Sequence, residues 1–155
     1  MAITRSIDIA SLDGSNGFII HEAPQEYRFG DSVSSAGDVN GDGFDDFIVG
    51  APGGLFGEPS SGYTPIPGSS YVVFGKASGF DAAMNLSDLD GSNGFHLDNA
   101  ENDNFLGYSV SSAGDINGDG FDDVIVSALS LAGSFYYYGP NPNAGSSYVV
   151  FGKAS

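Results

Sequence analysis

The sequence contains no cysteine, so disulfide bonds and thiolate zinc sites are excluded. It also lacks any apolar run close to the ~20 residues of a membrane-spanning helix, which predicts that the chain does not insert into a membrane. Residues 1–10 include Arg5 and Asp8 and no apolar segment. We therefore expect no signal peptide in this chain, and any export signal would lie outside it.

Basic residues are scarce. The 155 residues include 4 Lys and Arg against 20 Asp and Glu, which gives a formal net charge of −16. Such a surface repels the phosphates of nucleic acids, so no nucleic-acid partner is expected. The acids suit either a solvated surface or a cation site, and clustering of the carboxylates favours the cation site.

The second half of the sequence repeats the first at a constant offset of 77 residues, without a gap. The segments 12–18, 32–38, 40–46 and 68–78 recur as 89–95, 109–115, 117–123 and 145–155. We therefore predict two units of one design, residues 1–78 and residues 79–155.

Short apolar runs separated by Gly, Pro, Ser and Asn indicate an all-β fold. The predicted strands of a unit are A near 32–37, B near 47–51, C near 70–74 and D near 95–97, with 18–20 as the first copy of D. Four short antiparallel strands per repeat are typical of a β-propeller blade, so the chain would supply two blades. The chain order is then D, A-B-C, D, A-B-C, and the first strand D would complete the sheet of another blade.

The carboxylates cluster in one short loop of each unit, between strands A and B. Oxygen-bearing side chains occupy loop positions 1, 3, 5 and 9, and we expect the carbonyl at position 7 to add a backbone oxygen. Ca²⁺ takes about 6–8 oxygen ligands, and Gly43 and Gly120 permit the sharp turn. We predict two Ca²⁺ per chain, one bound by Asp38, Asn40, Asp42, Phe44 and Asp46 and the other by Asp115, Asn117, Asp119, Phe121 and Asp123.

Two other interpretations of these loops fit less well. An Asx-rich turn without a metal would leave three carboxylates repelling one another in a short loop. An EF-hand needs a carboxylate at position 12 and flanking helices, whereas position 12 is Val49 or Val126 in a β-branched run. Mg²⁺ is a poorer fit than Ca²⁺ because it prefers to keep several of its waters.

These residues resemble the FG-GAP repeats of integrin α-subunit propellers and their bacterial relatives. Phe29-Gly30 stands for FG and residues 50–52 for GAP, with the acidic loop between them. The second copy is looser, with Leu106-Gly107 for FG and residues 127–129 for GAP. The resemblance implies a propeller with structural calcium, in an extracellular or cell-surface adhesion protein.

Two blades cannot close a propeller ring, because propellers usually have 4–8 blades. We therefore expect the chain to self-associate into a closed homo-oligomer. Three chains would give six blades, and four chains would give eight.

The two units differ most in the B–C stretches, residues 53–67 and 130–144, on the face opposite the calcium loops. Loops on a rigid scaffold often carry recognition. Tyr136, Tyr137 and Tyr138, with Tyr63 in the first unit, are the candidate ligand-binding residues. The alternative is that these tyrosines pack against a neighbouring blade.

No catalytic constellation is apparent in the sequence, and we predict a protein that is not an enzyme. We predict an adhesion or protein-interaction module that binds a surface protein. One alternative is a lectin-like module that binds a glycan through the B–C loops, and a glycan array would distinguish it from the adhesion module. The other alternative is a purely architectural repeat.

Overall fold

The structure is a computed structural model that describes residues 6–21, 28–58, 62–98, 104–130 and 145–154. Short strands dominate the described residues, in agreement with the predicted all-β fold. The strands are β1 (Ile19–His21), β2 (Ser32–Gly37), β3 (Asp46–Ala51), β4 (Gly54–Glu58), β5 (Gly62–Ile66), β6 (Ser69–Val73), β7 (Ala83–Asn85), β8 (Gly94–Asp98), β9 (Asn104–Gly114), β10 (Asp123–Ser130) and β11 (Ser146–Val150). Two 3₁₀ turns, Ile9–Ser11 and Leu86–Asp88, complete the elements.

The first unit forms a four-stranded antiparallel sheet in the order β2-β3-β6-β8. This is the predicted order A-B-C-D, with β8 supplied from beyond residue 78. Val49 of β3 lies opposite Val33 of β2 on one side and Tyr71 of β6 on the other. Because β3 has a neighbouring strand on both edges and packed side chains on both faces, its apolar run is unbroken.

The second unit forms a three-stranded antiparallel sheet in the order β9-β10-β11. Val126 of β10 lies opposite Val110 and Tyr148, which are the counterparts of Val33 and Tyr71. The 77-residue repeat in the sequence is therefore also a repeat in strand register. Both sheets are antiparallel, as the predicted propeller blades require.

Strand β1 pairs in parallel with β7, a strand that the sequence did not predict. The pairing sets Ile20 opposite Met84. Just before β1, Phe18 stacks on Phe80 with ring centroids 4.2 Å apart. The N-terminal segment is thus packed against the first sheet, and β1 begins one residue later in the chain than the predicted strand at 18–20.

The stretch between strands B and C of the first unit forms a second unpredicted element. Strands β4 and β5 pair as an antiparallel hairpin, with Phe56 opposite Thr64. The hairpin follows the end of β3 that is remote from the acidic loop, which agrees with the predicted placement on the opposite face.

The main hydrophobic core lies between the two sheets. Ile48 and Val72 from the first sheet share it with Val110, Val126 and other residues of the second. A smaller cluster covers the opposite face of the first sheet, where Tyr71 and Val73 pack with Leu86 and, at its border, Ile20. Within the described parts of the chain, no helix has the length and apolar character needed to cross a membrane.

Candidate metal-binding loops

The loop between β2 and β3 curls around the carboxylate of Asp38. Asp38 Oδ1 accepts the backbone N–H groups of Gly41 at 2.7 Å and Asp42 at 3.0 Å, and Oδ2 accepts that of Gly43 at 2.9 Å. Gly43 has a φ of +86°, a conformation that costs a residue with a Cβ more than it costs glycine. Loop positions 1 and 5 are thereby drawn together, as the sequence predicted for a tight turn.

The side chains at positions 3 and 5 meet at the same point of this loop. Asn40 Oδ1 accepts from the backbone N–H of Asp42 at 3.1 Å, and its amide donates to Asp42 Oδ2 at 3.1 Å. Asp42 Oδ1 in turn accepts the backbone N–H of Phe44 at 2.9 Å. Two carboxylates and an amide oxygen therefore lie within five consecutive residues of one curled loop.

Asp46, at position 9, is buried and fastens the loop to the sheet. Its Oδ2 accepts the backbone N–H of Val39 at 2.9 Å, and its Oδ1 accepts that of Gly75, just beyond β6, at 2.8 Å. Burial raises the pKa of Asp46, and the nearby carboxylates of Asp42 and Asp38 add to the rise, while the two N–H donors oppose it. A cation beside these oxygens would favour the charged form.

The second loop repeats these contacts with nearly the same distances. Asp115 accepts from the backbone of Gly118, Asp119 and Gly120 at 2.7, 3.0 and 2.9 Å. Asn117 and Asp119 again bond each other, and the buried Asp123 accepts from Ile116 and Gly152. Equal geometry in two independent copies indicates that the sequence specifies the loop shape.

The donor set of each loop is oxygen only, which suits a hard cation such as Ca²⁺. Among the described residues, however, no group of three or more His, Cys, Asp or Glu side chains lies close enough to hold a metal ion. The loop brings Asp38, Asn40 and Asp42 together, whereas both carboxylate oxygens of Asp46 already accept backbone N–H groups. A carboxylate has about four lone-pair sites, so Asp46 retains capacity for a further partner. The chemistry of the residues therefore fits calcium.

The two loops also contact each other through a residue whose role the sequence did not predict. Asp122 Oδ2 accepts the backbone N–H of Asp38 at 2.9 Å, and the Asp122 N–H donates to the Asp38 carbonyl at 3.0 Å. The ring of Phe121 packs against Gly41, where a Cβ would collide with it. No local signal could reveal these contacts, because they join residues from different units.

Comparison with known proteins agrees with this geometry. The pattern of the FG-GAP repeat matches residues 29–66 and 106–150, more than half of the chain. The chain belongs to the FG-GAP repeat family. Integrin alpha-5 of Xenopus laevis is 32% identical over 126 residues, covering 81% of this chain and 11% of that protein. Integrin alpha-V of Gallus gallus is 31% identical over 122 residues, covering 79% of this chain and 10% of that protein. The FG-GAP chain thus spans about a tenth of the length of these relatives.

The FG-GAP motif lies at one end of the A–B strand pair, away from the acidic loop, where the start of β2 meets the end of β3. The backbone N–H of Gly30 donates to the carbonyl of Gly50 at 2.9 Å, which joins FG to GAP. Phe29 meets the ring of Tyr71 edge-on, and Ala51 is buried in the same cluster. In the second unit, Leu106 and Ala128 at the corresponding positions are also buried, so the looser motif keeps its packing role.

The predicted ligand-binding tyrosines are placed only in part. Tyr136, Tyr137 and Tyr138 lie outside the described residues, and Tyr63 belongs to β5 of the hairpin. Among the tyrosines of strand C, Tyr71 is buried, whereas its counterpart Tyr148 is exposed at the edge of the second sheet.

Proposed function

We propose that this chain is a calcium-stabilised adhesion or protein-interaction module that works outside the cell or at its surface. Its FG-GAP repeats resemble those of integrin α subunits, and we assign it a binding role and no enzymatic one. The observation that carries the calcium part is the pair of matching acidic loops, each curled around one aspartate with an oxygen-only donor set.

Calcium would act on the fold and not on a substrate. A divalent ion among the carboxylates offsets their mutual repulsion and links the ligand oxygens of one A–B loop at one end of the sheet. Since the folded loop is curled and the unfolded one is not, calcium binding adds to the free energy of unfolding. Extracellular calcium modules bind with dissociation constants of about 10⁻⁴–10⁻³ M, which suits a location outside the cell.

Thermal unfolding with and without a calcium chelator tests this proposal. We expect chelation to lower the melting temperature of the native chain and to leave the melting temperature of the double variant Asp42→Ala, Asp119→Ala unchanged. The matched control is Asp13→Ala, Asp90→Ala, which removes the same charge at the same spacing from turns outside the loops. The control should keep its response to chelator.

An equal melting temperature in chelator and in calcium would contradict the proposal for the native chain. So would a double variant that still responds to calcium, because the ion would then bind elsewhere. The lectin-like alternative stays a prediction that rests on the tyrosines of the B–C stretches.

A further inference from the structure

We propose that the outer face and edge of the second sheet bind the N-terminal unit of another copy of this chain, whose β1 joins β11 as the fourth strand. The proposal concerns strand pairing and apolar packing and does not depend on calcium.

Strand β11 forms an edge of the second sheet. Strands β6 and β11 have the same sequence, Ser-Ser-Tyr-Val-Val. β6 lies between β3 and β8, whereas β11, among the described residues, pairs with β10 alone. An unpaired strand edge presents a row of backbone N–H and C=O groups that can accept another strand.

The N-terminal strand has the complementary free edge. It is the counterpart of β8 in the repeat, and it pairs with β7 on one side while no other described strand pairs with it. The register of β6 with β8 sets Tyr71 opposite His96 and Val73 opposite Gly94. Carried over by the repeat, Tyr148 would lie opposite Ile19 of the second copy, and Val150 opposite Gly17.

The outer face of the second sheet exposes apolar side chains whose counterparts on the first sheet are buried. Val72 on the first sheet is 0% exposed because the second sheet covers it, whereas its counterpart Val149 is 43% exposed. Ile125 and Phe151 are likewise exposed, and their counterparts Ile48 and Phe74 are buried. These exposed apolar side chains correspond to those through which the first sheet packs against the second. We therefore expect another unit to cover them in the same way.

The first unit carries the matching surface on its opposite side. Val110 is 7% exposed where the second sheet meets the first, whereas its counterpart Val33 is 68% exposed. The two exposed faces are therefore the two halves of the interface that already joins the units within the chain.

The residues that form a polar contact between the two units have exposed counterparts on the two faces proposed to associate. Asp122 accepts the backbone N–H of Asp38 in the first loop. Its counterpart Asp45 is exposed, and so is the loop around Asp115. In the assembly, Asp45 of one copy would accept the backbone N–H of Asp115 of the next. The contact joins two different surfaces, so repeated head to tail it can close into a ring, with six or eight blades for three or four chains.

Light scattering on the 155-residue chain and two charged variants tests the contact. Val149→Lys blocks the outer face of the second sheet, and Val33→Lys blocks the matching face of the first. Both side chains are exposed, so folding should be unaffected. The native chain is expected at three or four times the 15.9 kDa of one chain, and each variant alone at 15.9 kDa.

An equimolar mixture of the two variants is the decisive sample. Each variant keeps one intact surface, so the mixture should form heterodimers with one chain of each variant and nothing larger. Tyr108→Lys is the matched control, because Tyr108 and its counterpart Asp31 are both exposed, and it should keep the native mass. A native chain with the mass of one copy, or a mixture that stays single, would overturn the proposal.

Discussion

The aspartate that ends each acidic loop shows how one side chain can link a loop to a sheet. Asp46 is buried, and a buried carboxylate is costly unless hydrogen bonds compensate it. It accepts one backbone N–H from its own loop and one from Gly75, two residues after β6 and 29 positions away. Each of these N–H groups is thereby satisfied where the ladder of the sheet ends. Position 9 therefore serves the fold whether or not it also contacts a cation.

A second residue-scale feature is the turn before strand D. Asp90 Oδ1 accepts from the hydroxyl of Ser92 at 2.7 Å and from its backbone N–H at 2.9 Å. These bonds, the hydroxyl first, hold the pKa of Asp90 below its ordinary value. A lowered carboxyl pKa stabilises the fold above the unfolded pKa, and the contribution is lost as the pH falls through the folded pKa.

Replacing Ser92 by Ala should therefore raise the pKa of Asp90 toward its ordinary value, since the main bond to the charged form is lost. An NMR titration of the carboxyl carbons measures this shift. Asp13 forms the same turn with Ser15 and provides an internal reference in the same sample. Equal pKa values for Asp90 in the native chain and the variant would show that the hydroxyl has no such effect.

At the scale of elements, the identical strands β6 and β11 allow a direct measurement of what strand pairing contributes. Their intrinsic amide exchange rates are matched, because Gly precedes and Phe-Gly follows both segments. At protein concentrations low enough to separate the copies, we expect the amides of Ser146–Val150 to exchange faster than those of Ser69–Val73. Exchange from an edge strand requires only local opening.

Raising the protein concentration should slow exchange in β11 toward the rate of β6, because the strand of a second copy would protect it. The amides must be resolved by NMR, since the two segments give peptides of the same mass. Exchange in β11 that is independent of concentration would argue against strand addition.

The strands that the sequence predicted are those defined by local patterns. Apolar runs bounded by glycines and Asn-Gly turns located β2, β3, β6 and β8, and the same pattern recurs in the second unit. Strand β7 was missed because its three residues become a strand only through β1, more than sixty positions earlier. The β4–β5 hairpin was missed because its glycines and prolines indicate a loop when tertiary contacts are ignored.

The curled shape of the acidic loops was predictable for a related reason: the residues proposed as ligands lie within nine positions of one another. The contact of Asp122 with Asp38, 84 positions apart, has no local signature. The different exposure of Tyr71 and Tyr148, identical in sequence context, depends on what covers each sheet. A repeat in sequence therefore predicts repeated strands, and the packing of each copy depends on its neighbours.

At the scale of the whole molecule, the net charge of −16 acts on stability in two separable ways. Every cation screens the mutual repulsion of the carboxylates, an effect that depends on ionic strength. A cation bound in the two loops, as proposed, would add a second effect that depends on its size and coordination preference. Ca²⁺ and Mg²⁺ chlorides at equal concentration have equal ionic strength, so a comparison of the two isolates the second effect.

We expect the native chain to melt at a higher temperature in CaCl₂ than in MgCl₂, because Ca²⁺ accepts about 6–8 oxygen ligands in variable geometry whereas Mg²⁺ retains several of its waters. The variant Asp42→Ala, Asp119→Ala should melt at the same temperature in both salts, since only screening remains. Calorimetry at millimolar salt, near the ~10⁻⁴–10⁻³ M affinity of extracellular modules, measures both. Equal melting of the native chain in the two salts would mean that its acidic loops respond to charge alone.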